Sequence, residues 1–228
     1  MWLTFLAVVV VSFATLIFMR PVAEKVGLID KPNFRKRHQG FIPLIGGIAL
    51  FLGTLTFYAF QADTLPLPGL YLLSMTILLI IGVLDDRFDI SPALRAGIQA
   101  ILAGAMIYSG LELESLGQII APFSIKLGFF SLIFTVFITI GVINAFNMVD
   151  GIDGLLAGLS SVSFAGIGAL MWINQEHAIA YWCLAIILTL IPYAMFNLSV
   201  FGAKWKVFMG DSGSTLIGFT IIWMLLLS

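Results

Sequence analysis

Residues 129–154 read FFSLIFTVFITIGVINAFNMVDGIDG, and this stretch decides the fold. From Phe129 to Ile143 it holds no charge and no side-chain amide, only apolar residues, one glycine and the hydroxyls of Ser131, Thr135 and Thr139. An apolar helix of about 20 residues spans the roughly 30 Å of hydrocarbon in a bilayer. Polar residues then recur at Asn144, Asn147, Asp150 and Asp153, a step of three. At helical pitch that step draws one slowly drifting polar stripe. Amides and carboxylates at the end of a membrane helix are costly without partners, so the stripe marks the end that does chemistry. Gly151 and Gly154 permit close backbone approach and a turn after the helix.

The rest of the chain repeats the apolar pattern. Of its 228 residues 61% are hydrophobic and 10% are charged, and the mean hydropathy is +1.10. Ordinary soluble domains carry roughly 25% charged residues. The composition excludes a soluble globular protein, a disordered chain and a nucleic-acid-binding domain. The lone Cys183 sits in an apolar run and makes no intramolecular disulfide. Apolar runs at about 2–19, 43–60, 69–84, 96–110, 129–147, 155–173, 178–197 and 214–227 predict eight helices, joined by polar, Pro/Gly-containing loops. The expected fold is all-α, a polytopic membrane helical bundle forming one integral-membrane domain over residues 1–228.

Charge placement orients the bundle. Met1–Val11 has no basic residue, and Arg20 follows the first run, so that run is not a signal peptide. Eight alternating crossings put four segments on one side: about 20–42, 85–95, 148–154 and 198–213. Of the 11 basic residues, all but Lys126 fall there, which by the positive-inside rule makes that side cytoplasmic and the N-terminus periplasmic. Asp85, Asp86, Asp89, Asp150, Asp153 and Asp211 share those segments. Acids contribute little to topology, so their gathering is a functional signal. On the other side, Leu113–Lys126 alternates loosely and reads as a surface segment or a small hairpin.

Asp85-Asp86-Arg87-Phe88-Asp89 closes the third run. Adjacent carboxylates repel unless a cation compensates. Either a divalent metal or cation–phosphate pair supplies the charge, or the segment is a helix-capping turn held by Arg87 and Arg95. Phe208-Met-Gly-Asp211-Ser-Gly-Ser-Thr215 precedes the last run. Its Asp211, Ser212, Ser214 and Thr215 can cap a helix start, and free N–H groups there can bind phosphate. Oxygen-only ligands of this sort suit Mg²⁺ completed by phosphates and water. The basic run from Asp30 to His38 reads as a topology determinant touching anionic lipid, or as a phosphate-capture segment. No Walker-type loop, Gly-x-Ser-x-Gly or His-Glu-x-x-His is present.

Taken together, Asp85-Asp86, Asn144–Gly154 and Phe208–Thr215 resemble, in order and spacing, the polyprenyl-phosphate N-acetylhexosamine-1-phosphate transferases of bacterial membranes (glycosyltransferase family 4 type). The likeness runs from about Val22 to the end and is strongest over Glu24–Gly47 and Asn144–Leu155. It implies transfer of GlcNAc-1-phosphate from UDP-GlcNAc to undecaprenyl phosphate at the bacterial inner membrane, releasing UMP and beginning lipid-linked cell-surface polysaccharides such as O-antigen. It implies Mg²⁺, with Mn²⁺ able to substitute, on Asn147 and Asp211. Asp85, Asp86, Asp150 and Asp153 are implied as the catalytic acids. Asp85 and Asp86 would stand near the lipid phosphate, Asp85 as a proposed base, and Asp150 and Asp153 near the nucleotide. Phe208 is implied as the residue that stacks on uracil, with Asn144 and Asn197 as polar substrate contacts and Arg37 and Arg87 as phosphate contacts.

The chain departs from the family at its C-terminus. Members usually run well past 300 residues with ten or eleven spans and a His-x-His-His loop, whereas this chain stops at Ser228. The expectation is a fold lacking its C-terminal part, with weak or absent activity alone. A DDxxD-type intramembrane prenyltransferase is the alternative enzyme, although Asn-x-x-Asp-x-x-Asp-Gly is not a second DDxxD. A transporter would place acids at mid-bilayer depth and show an internal repeat. Expected partners are the two substrates and membrane lipid, not nucleic acid. A homodimer stays open, since a lipid-facing Phe/Ile/Leu surface looks like a dimer surface.

Overall fold

Each of the eight apolar runs is a helix in the computed structural model, which describes residues 1–30, 40–117 and 125–227. Arg37 and the basic run around it lie outside the described residues. The helices are α1 (Trp2–Phe18), α2 (Arg20–Val26), α3 (Gly46–Gln61), α4 (Pro68–Phe88), α5 (Pro92–Tyr108), α6 (Phe130–Val149), α7 (Leu155–Ile173), α8 (His177–Asn197) and α9 (Gly210–Leu226). By length and composition α4, α6, α7 and α8 can each cross a membrane, and α1 with α2 adds a fifth span bent by 43°. Helix α9 is a shorter apolar helix of 17 residues. The bend falls where Pro21, at the start of α2, cannot donate to the preceding turn. Gly27, at φ 73°, then ends α2 in the left-handed conformation.

Helix α9 is the centre of the bundle. From Ser212 to Met224 every residue but Thr215 is buried, as expected of a helix that is apolar all round. It packs against α4, α6 and α3. In lipid, apolar surface alone gives helices little reason to associate, and close packing of small residues takes over. A Cβ on Gly82 of α4 would lie 2.2 Å from the Ser212 Cα, and one on Gly218 would lie 2.6 Å from the Ile143 Cα of α6. Side chains larger than hydrogen would therefore force these backbones apart. Outward-facing Leu132, Ile133, Phe134 and Phe137 of α6 are exposed, consistent with contact with hydrocarbon.

One end of the bundle collects the polar segments. A short ribbon pairs β1 (Ile29–Asp30) antiparallel with β2 (Ile42–Pro43). The chain after β2 then pairs with the segment leading into α9: Phe208 N–H donates to Pro43 O at 3.0 Å, and Gly46 N–H to Phe208 O at 3.0 Å. The start of α3, the end of α4, the end of α6 and the end of α8 all meet there. The described parts of the four segments expected to share a membrane face do share one end of the molecule. At the other end, Ser115 bridges Lys126 antiparallel and Leu116 N–H donates to Ile125 O at 3.0 Å, the pairing of the small hairpin expected there.

Candidate functional site

Helix α9 begins at Gly210, and its own sequence supplies no side-chain cap. The cap comes from α4. The Asp86 carboxylate accepts from Asp211 N–H at 2.7 Å, from Ser212 N–H at 3.2 Å and from Ser212 Oγ at 2.9 Å. A carboxylate there satisfies two of the orphan N–H groups and complements the positive end of the helix dipole. This corrects two expectations. Asp211, Ser212, Ser214 and Thr215 do not cap the helix from within, and the leading N–H groups are not open to a phosphate. It also separates Asp86 from Asp85, with which the sequence had paired it.

Asp85 is buried and faces the other way. Its Oδ1 accepts from Ile90 N–H at 2.7 Å, and its Oδ2 pairs with Arg95 of α5. The same Arg95 Nη1 stands 3.7 Å from Asp211 Oδ2, so one guanidinium balances two carboxylates. Asn147, near the end of α6, donates from Nδ2 to Asp211 Oδ1 and reaches Ser214 Oγ at 3.2 Å. Asp85, Arg95, Asp211 and Asn147, from four different helices, thus form one continuous polar cluster. Beside it a cleft between α4, α5 and α9 is walled by Leu78, Ile81 and Ile98, with Asp85, Arg95, Gln99 and Thr215 among its polar lining. Asn144 is exposed one turn back on α6, donating to Gln99 Oε1 at 3.3 Å and to Ile140 O at 2.7 Å.

The polar stripe read as continuing to Asp153 stops earlier. Helix α6 ends at Val149, Asp150 is its C-cap, and Asp153 lies in the following turn. That turn is tied across the site. Buried Asn197, the last residue of α8, accepts from Gly154 N–H at 2.7 Å and donates to Val207 O at 3.0 Å. Both ends of its amide are held by backbone, so it fixes two loops against each other. Exposed Asp153 pairs with Lys206, whose Nζ also stands 5.5 Å from the Phe208 ring centroid. Arg20 Nη1 donates to Lys206 O at 3.1 Å. Arg87 sits apart from the cluster at the end of α4: its guanidinium carbon is 3.1 Å from where a Cβ on Gly27 would be, and 5.4 Å from the Phe88 ring centroid.

The donor chemistry fits a hard cation. Asp211 Oδ2 and the Asn147 amide oxygen are oxygen donors on adjacent helices that the Asn147–Asp211 hydrogen bond does not use, and Arg95 Nη1 stands 3.7 Å from the first. Among the described residues no group of three His, Cys, Asp or Glu side chains forms a metal site. A cation at this pair would take the rest of its shell from phosphate and water, the manner in which Mg²⁺ is commonly held. Sequence reading missed Gln99, counted Lys206 only as a basic residue of this face, and gave Ser214 and Arg95 only places in capping turns. The signal for Arg95 was present: Ser91-Pro92 starts a helix, and Arg95 is on its first turn, facing back to Asp85.

Comparison with known proteins covers most of the chain. Residues 69–228 match the model of glycosyl transferase family 4. The chain is 61% identical over 219 residues to the undecaprenyl-phosphate alpha-N-acetylglucosaminyl 1-phosphate transferase of Haemophilus influenzae, covering 95% of this chain and 62% of that protein. It is 60% identical to the protein of the same name from Pasteurella multocida, covering 95% of this chain and 61% of that one. It is 53% identical to the one from Escherichia coli K12, covering 92% of this chain and 58% of that one. The chain spans about three-fifths of the length of the curated relatives it matches.

Proposed function

Because the chain belongs to glycosyl transferase family 4, we propose that it carries the reacting face of a Mg²⁺-dependent transferase that moves GlcNAc-1-phosphate from UDP-GlcNAc to undecaprenyl phosphate. The observation that carries this reading is the joining of Asp85, Asn147 and Asp211, from three separate motifs, into one cluster around Arg95. Relatives named for this transfer, at 53–61% identity, supply the substrates.

In this reading a phosphate oxygen of the lipid attacks the sugar-linked phosphorus of UDP-GlcNAc, and the bond from that phosphorus to the UMP oxygen breaks. A phosphate monoester with a second pKa of about 6 is already mostly dianionic at neutral pH. UMP likewise leaves as a dianion, so no proton need move and Asp85 need not act as a base. Its paired Arg95 and the apolar cleft beside them suit a phosphate carrying an isoprenoid tail, held in line by positioning and charge. Asn147 and Asp211 would hold Mg²⁺, which when bound neutralises charge on the diphosphate. Asp150, Asp153 and Phe208 flank the nucleotide end, with Asn197 fixing the loops that carry them.

The cluster faces the cytoplasm of a bacterial inner membrane in this reading, because the described basic residues, Lys126 aside, gather at the same end. The DDxxD prenyltransferase alternative needs its paired aspartates for a prenyl diphosphate, and Asp86 is engaged at α9 instead. The test is a radiolabelled UDP-GlcNAc assay with undecaprenyl phosphate and Mg²⁺, on this chain and on the complete gene product, with a prenyl diphosphate and an aromatic acceptor as control. Lipid-linked sugar that requires Mg²⁺ or Mn²⁺ is the expected product. Its absence from the complete gene product, or product only in the prenyl arm, would end the proposal.

A further inference from the structure

Asp85 and Asp86 are neighbours in sequence, and around a helix neighbours point about 100° apart. Asp85 turns to Arg95 and the cleft, and Asp86 turns to α9. Every acceptor atom of Asp86 is in use there: Oδ1 takes Asp211 N–H, and Oδ2 takes the N–H and Oγ of Ser212. The backbone is shaped around this contact. Gly210 sits at φ +77°, where a Cβ would lie 2.5 Å from Asp86 Oδ2. Gly82 is one turn before Asp86 on the same side of α4, and its missing side chain lets α4 lie on the Ser212 backbone. On the opposite side Gly47 of α3 does the same, its Cβ position 2.4 Å from Gly213 N. The first turn of α9 is thus fixed by glycine contacts on two sides and by a carboxylate at its end. Asp211, which projects from this turn, has its position set by it.

We propose that Asp86 is a positioning residue: it stays on the amides of α9, sets the place from which Asp211 meets the reacting groups, and contacts neither substrate. The inference rests on the transfer reaction above only for the identity of those groups. Replacing Asp86 by Ala removes all three bonds, and replacing it by Asn keeps one acceptor oxygen.

Hydrogen exchange of the Asp211 and Ser212 amides, followed by mass spectrometry in nanodiscs, should quicken about tenfold in Asp86→Ala and less in Asp86→Asn. Mn²⁺ affinity, read by electron paramagnetic resonance without turnover, should weaken several-fold in Asp86→Ala. In Asp86→Asn, kcat should fall by no more than about tenfold, with both KM values and the pH profile unchanged. Loss of all turnover in Asp86→Asn, with amide exchange and Mn²⁺ affinity as in the wild type, would overturn the proposal. If Asp86→Ala does not fold, Ser212→Ala removes one bond and should quicken the same amides two- to threefold, roughly the effect of one weak hydrogen bond. Unchanged exchange there would overturn it equally. Inactivity of the complete gene product would count against the transfer reaction, while the exchange result would still decide the role of Asp86.

Discussion

Helices α9 and α6 each bring one residue to the same contact, Asp211 and Asn147, and they are enclosed to different degrees. Helix α9 is enclosed along nearly its whole length, and glycine contacts clamp its first turn. In α6 only 17% of the apolar window is inside the bundle, against 61% in α8. Asp211 is therefore placed by a turn packed on two sides, and Asn147 by a helix that meets α9 along one face, where Gly218 lies against Ile143, and is exposed over much of the rest. The candidate cation pair joins a residue on an enclosed helix to one on a helix held along a single face. That difference makes unequal predictions for equal-looking substitutions.

The largest effect is expected at the anchored partner. Asp211→Ala should slow lipid-linked sugar formation by roughly 10³-fold, the scale of lost metal and charge stabilisation. A rate within tenfold of wild type would break the comparison at its root. Next comes the clamp. Gly82→Ala drives a methyl into the Ser212 backbone and should lower stability by roughly 1–3 kcal/mol, seen as a lower unfolding temperature in detergent. On the less enclosed helix, Asn147→Ala should weaken Mn²⁺ binding by about tenfold with the fold intact, less than Asp211→Ala does because a carboxylate is the stronger ligand. The smallest effect is expected at Gly141 of α6, where an added Cβ meets nothing within 4 Å. Gly141→Ala should leave the unfolding temperature unchanged or raise it, by up to about 1 kcal/mol of helix propensity. A fall as large as that of Gly82→Ala would show that the outer face of α6 is packed as tightly as its α9 face.

Much of this was legible in one dimension. Apolar runs located eight of the nine α-helices among the described residues, all but the short α2, because hydrocarbon demands long uninterrupted stretches. Basic residues grouped the segments that the structure brings to one end. Side-chain partners across helices were harder to read. Asp85 and Asp86 look equivalent as letters, yet rotation about α4 gives them unrelated neighbours. The step of three from Asn144 to Asp153 suggested a continuous stripe, but Asp150-Gly151 ends the helix, and Asp153 meets Lys206 from a loop some fifty residues later. Asn197, implied as a polar substrate contact, is also a buried tie between two loops, a role visible only when Gly154 and Val207 are both in place. Arg87 and Arg95 both seemed able to hold the acidic turn, and only Arg95, from the next helix, reaches Asp85.

The close approach at Gly82 and Gly47 has a pharmacological consequence. A small molecule seated in the cleft beside Asp85 and Arg95 would rest partly on Gly82, a position that accepts no side chain. Point mutation could alter that floor only by prying the helices apart. Resistance to such a compound would have to come from the cleft walls, from half-buried residues such as Ile81 and Ile98, and wall changes can be countered by trimming the compound.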